Sequence, residues 1–543
     1  MSADPRPNIL LILVDEMRAP RPYDPQIPLP AQQRLRAHGL SLDRHYTAAT
    51  ACAPSRTSLF TGHYPSLHGV SQTDGMAKSA QDVTWLAPDT VPTLGHYLSA
   101  AGYRTYYRGK WHLSHADLLD EKGNSVPTND KDGNVIADGV RAYQAADPLA
   151  AYGFSGWIGP EPHGADPANT GYVRDPLFTD QIVEQLARLG EDAKRSAPPF
   201  FLVASLVNPH DIAVYGQLWS TGWGFPWPDD SFPAVPPPPT ADEELDDRPR
   251  CQKDYVDKYW RMLMPQLATD RYRRFYFWLQ QQVDAQIARI LDALDAAHLT
   301  ENTLVVFTSD HGDMLGAHGG MHQKWHNAYE ETVRVPLVVS NPVRFPTAAR
   351  TERLTSHIDL APTILGLAGA DAGALQQRLR TTHSVVRPLV GRDLSALLLC
   401  PQPVAAPAAA RDEECVYFMS DDQVSDNGSW LELGALKLPY RPVIQPGYVE
   451  TVVALLAAPS SSPSLGLCLC LCLWKYSRYF DGRSEAKRRQ PDEHELYCLT
   501  DDPLETHNLA HPAHQTAASE QARARLDELL QRCRTERRLT VAT

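Results

Sequence analysis

The sequence predicts an α/β protein: a large mixed, mainly parallel sheet sandwiched by helices, followed by a smaller C-terminal α+β domain with an antiparallel sheet and a helix. Three observations predict it. First, short apolar runs stop abruptly in polar residues: Asn8 to Val14 before Asp15, Tyr103 to Tyr107 before Arg108-Gly109-Lys110, Phe200 to Val207 before Asn208-Pro209-His210, and Thr303 to Thr308 before Ser309-Asp310-His311. Most of these runs are almost unbroken, as strands covered by helices on both faces require. Second, helical stretches fill the intervals, and repeated strand–helix alternation argues for an α/β sheet. Third, beyond residue 411 the pattern changes to strands without intervening helices, closed by one amphipathic helix.

In chain order, Asn8 to Val14 is too short for a membrane span and reads as a buried strand. No signal peptide precedes it, so a cytoplasmic location is expected. Cys52-Ala53-Pro54-Ser55-Arg56 starts a short helix, because proline is tolerated in a first turn where its missing N–H costs nothing. Val91 to Ala101 is helical and stops at Gly102. Asp180 to Leu189 is a helix with Thr179 as its N-cap. Residues 231–250, with Pro236 to Pro239 and then an acidic cluster, form a surface excursion that serves either as a lid or as an exposed spacer. A long amphipathic helix runs from about Thr269 to Leu299.

The expected domains are residues 1–403, an Ala-rich linker at 404–411, and residues 412–543. Glu414 to Ser420 and Trp474 to Phe480 read as antiparallel strands, Asp502 to Leu509 as a turn, and Gln515 to Arg537 as the final helix. Ala457 to Leu473 fits no element of this pattern.

A formal charge of −14 sets nucleic acid and anionic membranes aside as partners of the whole surface. An anionic substrate therefore needs a local basic pocket. Nine irregularly spaced cysteines make no disulfide framework, and Cys468-x-Cys470-x-Cys472 has the wrong spacing for a zinc knuckle.

The four strand ends deliver Asp15, Lys110, His210 and Asp310-His311, and ligands of such sheets bind beyond the carboxyl ends of the strands. That shared location gathers them into one site. Cys52 at a helix N-terminus favours an anion, and Arg56 adds a permanent charge one turn on. Two rival readings fail. His318, His322 and His326 are spaced for zinc on a helix, but Gly316, Gly319 and Gly320 make a continuous helix there unfavourable. A nucleotide-binding fold lacks its Gly-x-Gly-x-x-Gly after the first strand, and Asp15-Glu16 would repel a pyrophosphate.

Cys52-Ala-Pro-Ser-Arg56 with Thr61-Gly62, Gly109-Lys110-Trp111-His112 and Lys324 ahead of Tyr329-Glu-Glu-Thr-Val-Arg-Val-Pro336 resemble the type I sulfatases of the alkaline phosphatase superfamily. The resemblance implies an arylsulfatase-like hydrolase whose Cys52 is oxidised to formylglycine by a formylglycine-generating enzyme. It implies one divalent metal, Ca²⁺ first, bound by Asp15, residue 52, Asp310 and His311. Many relatives carry asparagine where His311 stands, and a second aspartate where Glu16 stands. It also implies that Lys110, Lys324 and Arg56 hold sulfate oxygens, that His112 acts as base toward the covalent intermediate, and that His210 faces the leaving-group oxygen. The substrate class is a small-molecule or glycan sulfate ester. The alternatives are a phosphonate monoester hydrolase or phosphodiesterase of the same superfamily, and a catalytically silent sulfatase-like binding protein.

Overall fold

The computed structural model describes residues 6–74, 78, 83–162, 164, 166–195, 197–216, 225–228, 231–260, 269–399, 414–423, 430–433, 436–439, 441–457, 471–482 and 489–537. Its main sheet is built from β1 (Asn8–Asp15), β2 (Gly39–Tyr46), β3 (Arg104–Gly109), β4 (Phe200–Pro209), β5 (Thr303–Ser309), β6 (Leu337–Ser340) and β7 (Ala349–Ser356) in the spatial order β3-β4-β1-β5-β6-β2-β7. Only β6 runs against its neighbours β5 and β2, so the sheet is mixed and mainly parallel, as expected. In register, Ile9 of β1 lies between Phe201 of β4 and Leu304 of β5.

The alternation of β1 sorts its side chains to two helical layers. Ile9, Leu11 and Leu13 pack with the helices Cys52–Thr61, Leu94–Ala100 and His357–Leu367. Leu10, Ile12 and Val14 pack with Gly171–Ala193 and Asp270–Ala296. All six side chains are fully buried, and truncating one to alanine would cost about 2–5 kcal/mol. The helix Pro30–Ala37 has no cap of its own; Asp284 of the long helix accepts its Ala31 and Gln32 N–H groups at 2.9 and 3.1 Å.

A second sheet is formed by β8 (Cys415–Ser420), β11 (Tyr448–Ala457), β12 (Leu471–Phe480) and β13 (Glu493–Cys498), antiparallel in the order β13-β12-β11-β8; β9 (Trp430–Leu433) and β10 (Leu436–Pro439) form a separate hairpin. One face of the larger C-terminal sheet, with Phe418, Val449 and Tyr479, packs against Tyr46, Tyr276 and Tyr329 of the preceding chain. Its other face, with Tyr417, Val452 and Tyr476, packs against Leu526, Leu529 and Leu530 of the helix Ala517–Glu536.

Several boundaries differ from expectation. The helix expected to start after Thr179 runs from Gly171 to Ala193, with Pro176 inside its first turns. Thr179 is buried within it and caps nothing. The helix before Gly102 begins at Leu94, where Thr93 and His96 close a capping box. Ala457 and Leu471 to Leu473 lie in β11 and β12, while 458–470 and the linker at 404–411 fall outside the described residues. Among the described residues, no single helix is long and apolar enough to cross a membrane.

Candidate active site

The neighbouring strands β3, β4, β1 and β5 present their carboxyl ends side by side, which brings Lys110, His210, Asp15 and Asp310 to one locus. Gly109 makes the step to Lys110 possible. Its φ is +100°, and a Cβ there would sit 1.7 Å from the Ser205 carbonyl oxygen of β4. Lys110 N–H then donates to that same oxygen at 3.0 Å. After β1 the chain turns through Glu16 at φ 70°, a left-handed conformation costly for a residue with a Cβ. Asp310 and Ser309 hold this turn, accepting the Glu16 and Met17 N–H groups at 3.0 and 2.8 Å.

Cys52 is the first residue of the Cys52–Thr61 helix, which ends at the left-handed Gly62. The Ala51 before it offers no capping side chain; its N–H donates to Asp422 Oδ2, just past β8, at 3.3 Å. Asp422 also accepts from Trp325 Nε1 at 3.2 Å and pairs with Lys78. Ser55 Oγ donates to the Asp310 carbonyl at 2.5 Å, fastening the helix to the end of β5.

Cys52 Sγ lies 3.1 Å from His311 Nε2 and 3.6 Å from Asp15 Oδ1, and it is an electrostatic neighbour of His112 and His210. Arg56 is fully buried and donates to Asp310 Oδ2 (2.8 Å), Asp15 Oδ2 (3.0 Å), the Lys110 carbonyl (2.9 Å) and Ser205 Oγ (2.9 Å). Lys110 Nζ sits 2.6 Å from Asp15 Oδ2, and Lys324 Nζ 3.1 Å from Glu16 Oε2. His210 Nε2 is 4.0 Å from Glu16 Oε2, and its side chain retains 21% exposure where those of Asp15 and Glu16 retain none. His112, at φ 60°, places Nε2 2.9 Å from Asp74 Oδ1.

Charge compensation decides the protonation states. Burial alone would raise the Cys52 thiol, but Lys324, His311 and Lys110 outweigh it and hold it well below its ordinary value. Burial would likewise lower His112, but Asp74 lifts it to about 10. His210 is held at about 4 by burial and by Lys110.

Asp15, Cys52, Asp310 and His311 offer donor atoms within 4.8 Å of one another, all buried. His311 Nδ1 lies 2.9 Å from the Gly312 carbonyl, so an N–H belongs there and Nε2 is the ring atom turned toward Cys52, free to ligate a cation once it carries no proton. This set fits one divalent cation. Glu16 stands outside it, its carboxylate turned to Lys324 and His210. His318, His322 and His326 do not share a helix face: His318 and His326 both have positive φ.

Sequence reasoning missed several residues. Glu161 Oε2 accepts the Trp111 and His112 N–H groups at 3.0 and 3.1 Å, which shapes the turn after Lys110. Asp74, Ser205 and Asp422 are likewise silent in the sequence, since nothing local marks a carboxylate or hydroxyl whose partner is distant in the chain. The 231–250 segment is partly buried through Val235, Leu245 and Arg248, and Glu243 reaches His318 Nδ1 at 2.9 Å.

The family described as Sulfatase matches residues 7–370. The choline-sulfatase of Rhizobium meliloti (strain 1021) is 27% identical over 380 residues, covering 67% of this chain and 68% of that protein. Among solved structures, a 2-O GAG sulfatase superposes with a TM-score of 0.63 at 19% identity, covering 97% of this chain and 92% of that one. A phosphonate monoester hydrolase from Silicibacter pomeroyi does so with a TM-score of 0.59 at 19% identity, covering 99% and 97%. At these identities the structural likenesses speak for the fold alone.

Proposed function

The chain belongs to the sulfatase family, hydrolases of sulfate esters, and from that premise we propose that it releases inorganic sulfate from a sulfate monoester using a formylglycine made from Cys52 and one bound divalent cation. The observation that carries this reading is the position of Cys52 Sγ, ringed by His311, Asp15, His112 and His210 at the first turn of its helix. A formylglycine there would supply two geminal hydroxyls, one to attack sulfur and one to expel sulfate after losing its proton. A cation held by Asp15, Asp310, His311 and residue 52 would supply Lewis acidity.

This chain's own residues do the rest. Lys110 and Lys324 flank the reacting position and orient the sulfate oxygens. Arg56 spends its donors on Asp15, Asp310 and the end of β3, so its part is to hold the carboxylates in place. His210 is the partly exposed member of the ring and by family likeness faces the leaving-group oxygen; held neutral in the free protein by burial and Lys110, it acts as acid only after taking up a proton as substrate binds. By family likeness His112, oriented by Asp74, is the base toward the second hydroxyl, a role it can take only after giving up the proton that Asp74 holds on it in the free protein.

By family likeness the cation is calcium. The nitrogen donor of His311 departs from the oxygen shells calcium prefers, which makes manganese and zinc its competitors. Relatives named for a small-molecule ester and for a glycan leave both substrate classes in play. The second reading, a phosphonate monoester hydrolase, has a fold neighbour of that name in its favour.

The test is the mass of the Cys52 peptide from active protein, together with sulfate release from 4-nitrophenyl sulfate. Conversion lowers the residue mass by about 18 daltons. Sulfate release by protein whose Cys52 is entirely thiol overturns the mechanism.

A further inference from the structure

A second group of buried ligating atoms lies apart from the four donors around Cys52. His318, Glu331 and Glu505 each offer one donor atom, and these atoms lie within 4.8 Å of one another. The three residues are 0%, 1% and 0% exposed. They come from three separate stretches: the loop that also carries Lys324, the short helix Glu330–Val333, and the C-terminal turn that starts at Asp502.

Each donor is fixed from behind. His318 Nδ1 lies 2.9 Å from Glu243 Oε2 and donates its N–H there, so Nε2 keeps a lone pair. The imidazole is stacked on Tyr329, with ring centroids 3.7 Å apart and 7° between planes. Glu331 Oε1 accepts from the Tyr23 hydroxyl at 2.6 Å and is ion-paired with Arg21 Nε at 2.9 Å, leaving Oε2 3.8 Å from His318 Nε2. Glu505 Oε2 accepts the Glu330 N–H at 2.8 Å, leaving Oε1. Among the described residues, His318 Nε2, Glu331 Oε2 and Glu505 Oε1 have no hydrogen-bond partner. Lys475 Nζ stands 2.7 Å from Glu505 Oε1 as an ion pair without hydrogen-bond alignment; it also holds the Ala328 carbonyl and Glu330. Buried polar atoms are rarely left without partners; Lys475 compensates Glu505 Oε1, but His318 Nε2 and Glu331 Oε2 face each other across a gap that calls for an occupant.

We infer that this gap is a structural site for a divalent cation that accepts mixed nitrogen and oxygen donors, zinc first, with water as the fourth ligand. One imidazole nitrogen and two carboxylate oxygens suit zinc, whereas calcium asks for six or more oxygens. Ligand atoms around tetrahedral zinc are roughly 3.4 Å apart, so a small closure of the 3.8 Å gap completes the site. A carboxylate behind the histidine, here Glu243, is the usual support of a metal-bound imidazole. Glu243 also lines a surface groove of about 490 Å³ with Asp242, Glu244 and Asp257 against the single cation Lys253, a net acidic approach for a cation. The bound ion ties the C-terminal turn to the loop carrying Lys324.

The test counts zinc in full-length protein stripped with chelator, reloaded with zinc and desalted, in an Asp310→Asn background that cripples the donor set around Cys52. About one zinc per chain is expected, lost on adding Glu505→Gln or His318→Gln. Should those variants misfold, Glu243→Gln, which removes only the rear support, weakens zinc by about 10–100-fold. Cobalt in place of zinc should give the visible absorption of a four-coordinate ion. Absence of zinc from the folded Asp310→Asn protein, or zinc unchanged by all three further substitutions, overturns the site.

Discussion

Arg56 donates through Nε to Asp310 Oδ2 at 2.8 Å, with both side chains wholly excluded from solvent. The same guanidinium reaches Asp15 Oδ2 at 3.0 Å, so one cation on the Cys52 helix spans the ends of β1 and β5. Arg56→Met should leave two buried carboxylates under-compensated. We expect a loss of about 3–5 kcal/mol by chemical denaturation and a parallel fall in bound metal. Unchanged metal content with unchanged stability would show that the carboxylates hold their places without it.

Cys52→Ala should abolish sulfate release with little loss of stability, since it removes one buried sulfur beside a helix start. Cys52→Ser has no second geminal hydroxyl and should at best turn over once. Steady-state rates on an aryl sulfate within about tenfold of wild type for either variant would remove residue 52 from the chemistry.

Asp422 reaches the site from the C-terminal sheet, holding Ala51 N–H and Trp325 while paired with Lys78. Asp422→Asn leaves the Lys78 ammonium, 2% exposed, without its counter-charge. A loss of about 3 kcal/mol and a lower kcat at similar KM are expected, because the segment before Cys52 loses its anchor. Equal kcat in a demonstrably folded variant would confine Asp422 to stability.

His357 sits beneath the Cys52 helix, with Nδ1 3.3 Å from Ser55 Oγ and Nε2 3.0 Å from the Ser309 carbonyl. Burial holds it at about 3, below its ordinary 6.5. Between those values the unfolded chain binds a proton that the folded one refuses, so stability falls as pH drops below 6.5 and is level above it. At pH 5 this group alone costs about 2 kcal/mol relative to pH 8. Denaturation curves of His357→Gln at the two pH values should lie closer together than those of wild type by that amount; equal spacing would exclude the group.

Sulfate monoesters should be preferred. The cations around Cys52 bind a phosphate dianion more tightly in the ground state, but ground-state affinity does not raise the rate. We expect higher kcat/KM for 4-nitrophenyl sulfate than for the matching phosphate or phenylphosphonate, with inorganic phosphate inhibiting. An advantage of more than about tenfold for the phenylphosphonate would transfer the assignment to the phosphonate hydrolases.

Apolar runs that end in Asp15, Lys110, His210 and Asp310 were enough to read four strands, their common direction and the meeting of those four residues at one sheet edge, because buried parallel strands are marked by composition alone. The start of the Cys52 helix was equally legible, since Pro54 acts within its first turn. Strands β2 and β7 mix polar with apolar residues, β6 is only four residues long, and the reversed direction of β6 has no local signature.

What the sequence by itself determined is a set of candidate groups and the sheet edge that gathers them: patterns of burial and turn chemistry are local, and they survive in one dimension. Only the tertiary structure decided how the charges pair. It turned Glu16 toward Lys324, spent Arg56 on Asp15 and Asp310, placed Glu161 behind Trp111 and His112, and sent Asp422 from the C-terminal sheet to the residue before Cys52. A buried carboxylate persists only where a distant donor meets it, and that partnership is a property of the packed chain.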